Sequence, residues 1–325
     1  MTTMTNRNTT RRRFLQVSGA AAIAGLAGCS NGGSSDNSTS TQELTENATT
    51  TAAETTTAQQ EVAVEMSAEG RLAFDGPTNE MDLPEDPDPN DGYPPEFNIK
   101  LEDYEVDESR WETNTIEETD ITLVPFDVAY YWYVRGEARF LDARSQSEYD
   151  VSHIYGAVVS PAKSDMEDDP VASWPKDDKI VAYCDCPHHL SSIRAAALKA
   201  EGYSNVYVIY EGYGAWRSKG YPMEGSSPKD APKTWTVTGQ VDPEHAGEAA
   251  WAYYQDQKEA TEIAEDGSYE LNIRFVNVSA DTEVTIQTPA YELNATLGAL
   301  TNGSVSEDGT VLEGSGNGSV NATSA

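Results

Sequence analysis

Residues 180–202 read IVAYCDCPHHLSSIRAAALKAEG, and this stretch decides the fold. Ile180 to Tyr183 is a short apolar, β-leaning run flanked by charge, the pattern of a buried parallel strand. From Ser191 to Glu201 a triple alanine, Ile193 and Leu198 fall at helical spacing, and Gly202 supplies the stop. The loop between them holds Cys184, Cys186, Pro187, His188 and His189, including both cysteines outside the N-terminal region and two of the four histidines. A thiol at the end of a parallel strand faces the unpaired N–H groups and positive dipole end of the next helix. Those surroundings favour the thiolate, which is the nucleophilic form. Cys184 is the candidate nucleophile.

Motifs on either side of the loop resemble the rhodanese-like domains. Upstream, Asp142-Ala-Arg144-x3-Glu148-Tyr149-x3-His153-Ile154-x-Gly156-Ala157 is similar to that family's DxRxxxEYxxGHIxGA signature, with Ser152 in place of a glycine. Downstream, Gly212-x-x-Ala215-Trp216-x3-Gly220-x-Pro222 is similar to the closing GGxxAWxxxGxP, with Glu211 in place of the first glycine. The loop itself departs from the pattern. Pro187 stands where glycine is common and His189 where arginine is common, and the loop is one residue longer than in short-loop members.

The resemblance implies an α/β domain with a parallel sheet over residues 116–226, and a sulfurtransferase without a cofactor. The Cys184 thiolate would take sulfane sulfur from a small anionic donor, hold it as a persulfide among the loop N–H groups, and pass it to a thiol acceptor. Two other readings stay open. One is an inactive rhodanese fold that binds a protein or a metal through the loop. The other is an arsenate reductase or phosphatase, which ranks third because the loop lacks the arginine that clamps a tetrahedral anion. Cys186 is left as a resolving thiol, a relay or loop filler, since a disulfide to Cys184 across so short a loop is strained. His188 and His189 either replace the missing positive charge or stand idle in solvent, and Ser191 closes the loop at the helix start. Cys-x-Cys-Pro-His-His brings four soft ligands together too closely for a structural zinc site, so at most a two- or three-ligand contact is available and no metal is expected. Asp142, Arg144 and His153 are expected to form a buried brace beneath the loop rather than to react.

Composition bounds the rest. Only 38% of the 325 residues are hydrophobic, so part of the chain cannot be packed. Residues 1–28 carry Arg7, Arg11, Arg12, Arg13 and an apolar run from Val17 to Ala27 too short to span a bilayer. Arg11-Arg12-Arg13-Phe14-Leu15 is a twin-arginine export pattern, and Leu26-Ala27-Gly28-Cys29 resembles a lipoprotein processing box. These features predict an extracytoplasmic protein held to the membrane by a lipid on Cys29. Beyond residue 28 the chain has 17 basic against 55 acidic residues, a net charge of −38, which fits a halophilic protein and excludes nucleic acid as a partner.

From residue 29 to 115 the composition predicts a disordered tether, with sequons at Asn37 and Asn47, followed from residue 63 by an extended acidic arm whose sparse anchors at Tyr93, Phe97, Ile99, Leu101, Tyr104 and Trp111 lay it against the folded part. Asp127 to Arg135 predicts a helix with Val128, Tyr131 and Trp132 on one face. After a linker at Ser226 to Pro232, alternating strands without helical period predict an all-β sandwich over 232–312. Its order of strands resembles the carboxypeptidase regulatory-like domains, which implies no catalysis there. Residues 313–325 are Gly/Ser/Asn-rich and are expected to be disordered. Carboxylate repulsion reaches ~30 Å at 0.01 M salt but only ~3 Å at 1 M. The thermal midpoint should therefore rise from dilute buffer to molar salt, and a midpoint that stays put would remove the halophilic reading.

Overall fold

The structure, a computed structural model, describes residues 59–163, 168–185 and 188–313, all within one compact unit. The expected export segment, Cys29 and most of the C-terminal tail lie outside these residues, as do Cys186 and Pro187. The first sheet is built from β1 (Thr113–Ile116), β2 (Thr119–Val124), β3 (Arg139–Asp142), β4 (Val158–Val159), β5 (Lys179–Tyr183) and β6 (Asn205–Ile209). Its order is β1-β2-β6-β5-β3-β4. β5 lies between β3 and β6, parallel to both, and its apolar residues are buried on each face, Val181 and Tyr183 in one cluster and Ile180 and Ala182 in another. The sheet is mixed rather than wholly parallel. β1 turns back on β2 through Glu117 and Glu118, both at positive φ, as a two-residue hairpin requires.

The helices of this layer are α1 (Phe126–Val134), α2 (Gln146–Val151), α3 (His189–Ala200) and α4 (Tyr213–Ser218). Ser145 caps α2 with a full capping box to Glu148, and burial pushes the Glu148 carboxyl up against the pull of Arg144. α1 is buried from Asp127 to Val134, all round instead of on one face. The reason is the acidic arm.

Residues 59–115, whose composition suggested a disordered tether and arm, are built into the fold. Gln60–Val62 pairs with Ile99–Leu101, and Glu65–Met66 with Leu72–Ala73. Phe97, Leu101 and Leu72 are buried in one cluster with Tyr130, Tyr133 and Trp216. Phe74 stacks on Tyr130 at 5.1 Å, and Trp111 packs edge-on to Trp132 at 5.7 Å. Arg71 pairs with both Asp127 and Glu211, so the residue that replaces a family glycine anchors the arm. Gly156, at φ +80°, explains another glycine. A Cβ there would lie 2.8 Å from the Tyr93 carbonyl oxygen, where the arm crosses.

The C-terminal region consists of β7 (Trp235–Gln240), β8 (Ala249–Tyr254), β9 (Gln257–Glu262), β10 (Ser268–Ile273), β11 (Glu283–Gln287), β12 (Glu292–Thr296), α5 (Leu297–Thr301), β13 (Gly303–Val305) and β14 (Val311–Glu313). They form two four-stranded sheets, β10-β7-β13-β14 and β9-β8-β11-β12, enclosing a core of Val237, Leu271, Ile273 and Ile286. The alternation of buried and exposed residues along β7 and β10 is what the sequence pattern dictates. Along β9 the residues Lys258, Glu259 and Glu262 mask the alternation in the sequence.

The β8–β9 hairpin docks on the α/β layer. Trp251 and Ala260 are buried in the same cluster as Cys184, Leu190 and Ala195. Lys258 Nζ donates to the carbonyls of Ala162 and Lys163, each at 3.0 Å, and Lys163 Nζ lies 4.0 Å over the Trp251 ring. The Asp256 carboxylate accepts from the Ser147 N–H and hydroxyl at 2.9 and 2.8 Å. Trp251→Ala should therefore cost about 3–5 kcal/mol, read by denaturant unfolding. Amide protection should fall together in β9 and α3. A loss below about 1 kcal/mol would mean the contact is incidental.

Candidate active site

Cys184 follows β5 directly, at the C-terminal edge of the sheet where α/β folds place their ligands. Its carbonyl accepts the Tyr213 N–H at 2.9 Å, which ties the start of the loop to α4. The side chain is wholly buried, and the thiol is not in a disulfide. Its Sγ lies 3.3 Å from the Ser191 hydroxyl, buried in the first turn of α3. A hydroxyl at that distance can donate to a thiolate and favour it over the thiol.

α3 starts at His189, two residues earlier than the spacing predicts, with His188 as its cap at φ +49°. A non-glycine residue held there stores about 1–3 kcal/mol of strain. Neither histidine stands idle in solvent. The His188 ring stacks 5.9 Å from Tyr210, its Nδ1 is buried without a partner, and burial lowers its pKa. Burial, then the neighbouring His188, lowers His189 from its usual 6.5 to about 4. Both imidazoles are thus neutral at pH 7, so they cannot replace the charge of the missing loop arginine. Desolvation of the cation is the physical reason.

Asp142 and Arg144 form a buried pair next to Tyr183 and Tyr213, while His153 packs apart from it on Tyr149. Arg144 donates to both Asp142 oxygens, Nε at 3.0 Å and an η-nitrogen at 2.7 Å, and to the Ser152 carbonyl at 2.6 Å. Its guanidinium lies 4.7 Å over the Tyr213 ring and 5.9 Å over Tyr183, the two tyrosines that flank Cys184 in contact and in sequence. Ser152, in the position of a family glycine, hydrogen-bonds to the Tyr213 hydroxyl and to the Pro228 carbonyl. His153 stacks on Tyr149 at 3.6 Å with Nδ1 against the Tyr149 carbonyl. None of its described contacts is with the loop. Cys186 lies outside the described residues, and among those described no three His, Cys, Asp or Glu side chains gather as for a metal.

Two site residues were not singled out from sequence. Asp185 is buried beside Cys184, and Arg217 of α4 donates one η-nitrogen to both its oxygens at 3.1 Å. The signal was an acid between two cysteines, a position where an unpaired charge would oppose a thiolate. Its partner 32 residues on left no local trace.

The profile of the rhodanese-like domain family matches residues 132–219. This part of the chain is a rhodanese-like domain. No curated protein matches the chain. Among solved structures it is similar to the rhodanese-like domain of an Anabaena sp. protein, 26% identical over 34% of this chain and 84% of that one, with a TM-score of 0.31. It is also similar to thiosulfate sulfurtransferase from Pseudomonas aeruginosa, 26% identical over 32% of this chain and 20% of that one, with a TM-score of 0.27. An E. coli rhodanese is 22% identical over 27% of this chain and 99% of that one, with a TM-score of 0.22.

The histidines set an acid limit. Above pH 6.5 they are neutral in both folded and unfolded chains and contribute no pH dependence. As the pH falls from 6.5 towards 4, the unfolded chain binds protons that the folded loop refuses, so stability drops. An NMR titration should give His189 a midpoint near 4, and a midpoint at 6.5 would show an open, solvated loop.

Proposed function

We propose that this protein is a rhodanese-type sulfurtransferase working through Cys184. The observation that supports the reading best is the placement of Cys184: a reduced thiol at the end of the central strand, beside the Ser191 hydroxyl, with its carbonyl fixed by Tyr213. The thiolate attacks the outer sulfur of a sulfane anion such as thiosulfate. A new S–S bond forms as the S–S bond of the donor breaks, and sulfite leaves with the electron pair. A thiol acceptor then takes the outer sulfur as its own persulfide, and the acceptor's proton stays with that product while Cys184 returns as thiolate. Electrons balance without a cofactor.

The setting we propose is the outer face of the cell membrane, reached by the twin-arginine route and held by a lipid on Cys29, at high external salt. No described helix is long and apolar enough to cross a membrane. The two facing sheets of 235–313 are compatible with the carboxypeptidase regulatory-like type, which would make that region a non-catalytic support for the site. Complete burial of Cys184 favours a second reading, a rhodanese fold that binds a partner and turns nothing over.

Intact mass after incubation with thiosulfate separates the two. Wild type should gain about 32 Da, one sulfur, Cys184→Ser should gain nothing, and Cys186→Ser should keep the gain. An adduct that survives Cys184→Ser and vanishes with Cys186→Ser would move the nucleophile two residues along. No adduct on any variant would leave the binding reading.

A further inference from the structure

We infer that Arg217 is the anion-recognition residue of the Cys184 loop, standing in from α4 for the arginine the loop lacks. This rests on the reading of Cys184 as a nucleophile towards a sulfur-bearing anion. Tyr213 and Arg217 are four residues apart and so share one face of α4. Tyr213 holds the Cys184 carbonyl, and the Arg217 guanidinium lies 5.1 Å over the Tyr213 ring while gripping Asp185. The side chain is only 10% exposed, and that of Asp185 1%.

The grip uses one η-nitrogen for both carboxylate oxygens, and the other, Nη1, is buried with no hydrogen-bond partner. A buried guanidinium N–H without an acceptor is a costly vacancy for an oxygen. The other arginines of this layer near the strand ends are engaged. Arg144 is held by Asp142 and Ser152, and Arg194 by Asp169, Glu201 and the Ser160 hydroxyl. With His188 and His189 neutral, Arg217, held on Asp185 and stacked on Tyr213, both of which adjoin Cys184, is among the described residues a cation with an uncommitted donor. Asp185 fixes the plane of the guanidinium, so the spare N–H is presented at a set angle rather than from a flexible stem. A small oxyanion carrying the sulfur to be transferred fits that chemistry.

The test compares iodoacetate with iodoacetamide on the full chain, with alkylation at Cys184 followed by peptide mass. The reagents are similar in size and differ in charge, and neither needs a sulfur donor. Arg217→Met combined with Asp185→Asn, which leaves no unpaired carboxylate beside Cys184, should lower the iodoacetate-to-iodoacetamide rate ratio by about tenfold relative to Asp185→Asn alone. Arg217→Lys, which keeps the charge but not the second donor edge, should lose part of the ratio. If Arg217 merely props the loop, both rates change together and the ratio stays, which overturns the inference. A wild-type Cys184 that reacts with neither reagent overturns it as well. Should the double variant fail to fold, a Lys variant with the wild-type ratio overturns it. A ratio that falls while thiosulfate leaves no adduct on wild type would keep Arg217 as an anion receptor and remove the sulfurtransferase reading.

Discussion

A guanidinium with almost no access to water sits beneath the loop, and the site is arranged around satisfying it. The side chain of Arg144 is 4% exposed and that of Asp142 not at all. Burial alone would pull its pKa down. Asp142 more than offsets that, holding the Arg144 pKa well above its usual value. Removing one partner of a buried pair costs about 3–5 kcal/mol, because the other is left as an uncompensated charge. The bidentate geometry and the third bond to the Ser152 carbonyl fix where 152 must lie. Ser152 then fixes the Tyr213 hydroxyl, and the Tyr213 N–H fixes Cys184. Cys184 is thus positioned by a chain of contacts that begins at a charge too costly to leave unpaired.

That chain accounts for what was legible in the sequence. Ile180–Tyr183, the alanines of α3 and Gly202 encode local structure, and local structure follows from composition and period. Asp142 and Arg144 are two residues apart, so their pairing is nearly local as well. The arm and the β8–β9 hairpin were harder because their order comes from distant partners. Phe97 and Trp111 look isolated in an acidic, proline-rich run, and only the faces of Tyr133 and Trp132 make them anchors. For the same reason α1 shows no single apolar stripe. Arm and sheet cover it together, so residues on every side of it are buried.

Electrostatics separates the inside of this molecule from its outside. Arg71, Arg135, Arg139, Arg144, Arg194 and Arg217 each hold a carboxylate, and several pairs are partly or wholly buried. The surplus acids are left to the surface, where they repel one another and repel any anion that approaches. An oxyanionic sulfur donor therefore meets an adverse field at low ionic strength. At 1 M salt that field decays within ~3 Å, while a donor and acceptor in hydrogen-bond contact lie inside that range and are shielded from water by burial. On the proposed sulfurtransferase reading, short-range contacts at Cys184, such as the Ser191 hydroxyl and the inferred Arg217 donor, would decide whether the anion stays. On that reading, salt that screens the surface carboxylates would ease the approach of an anionic donor while leaving the buried contacts of the interior unchanged.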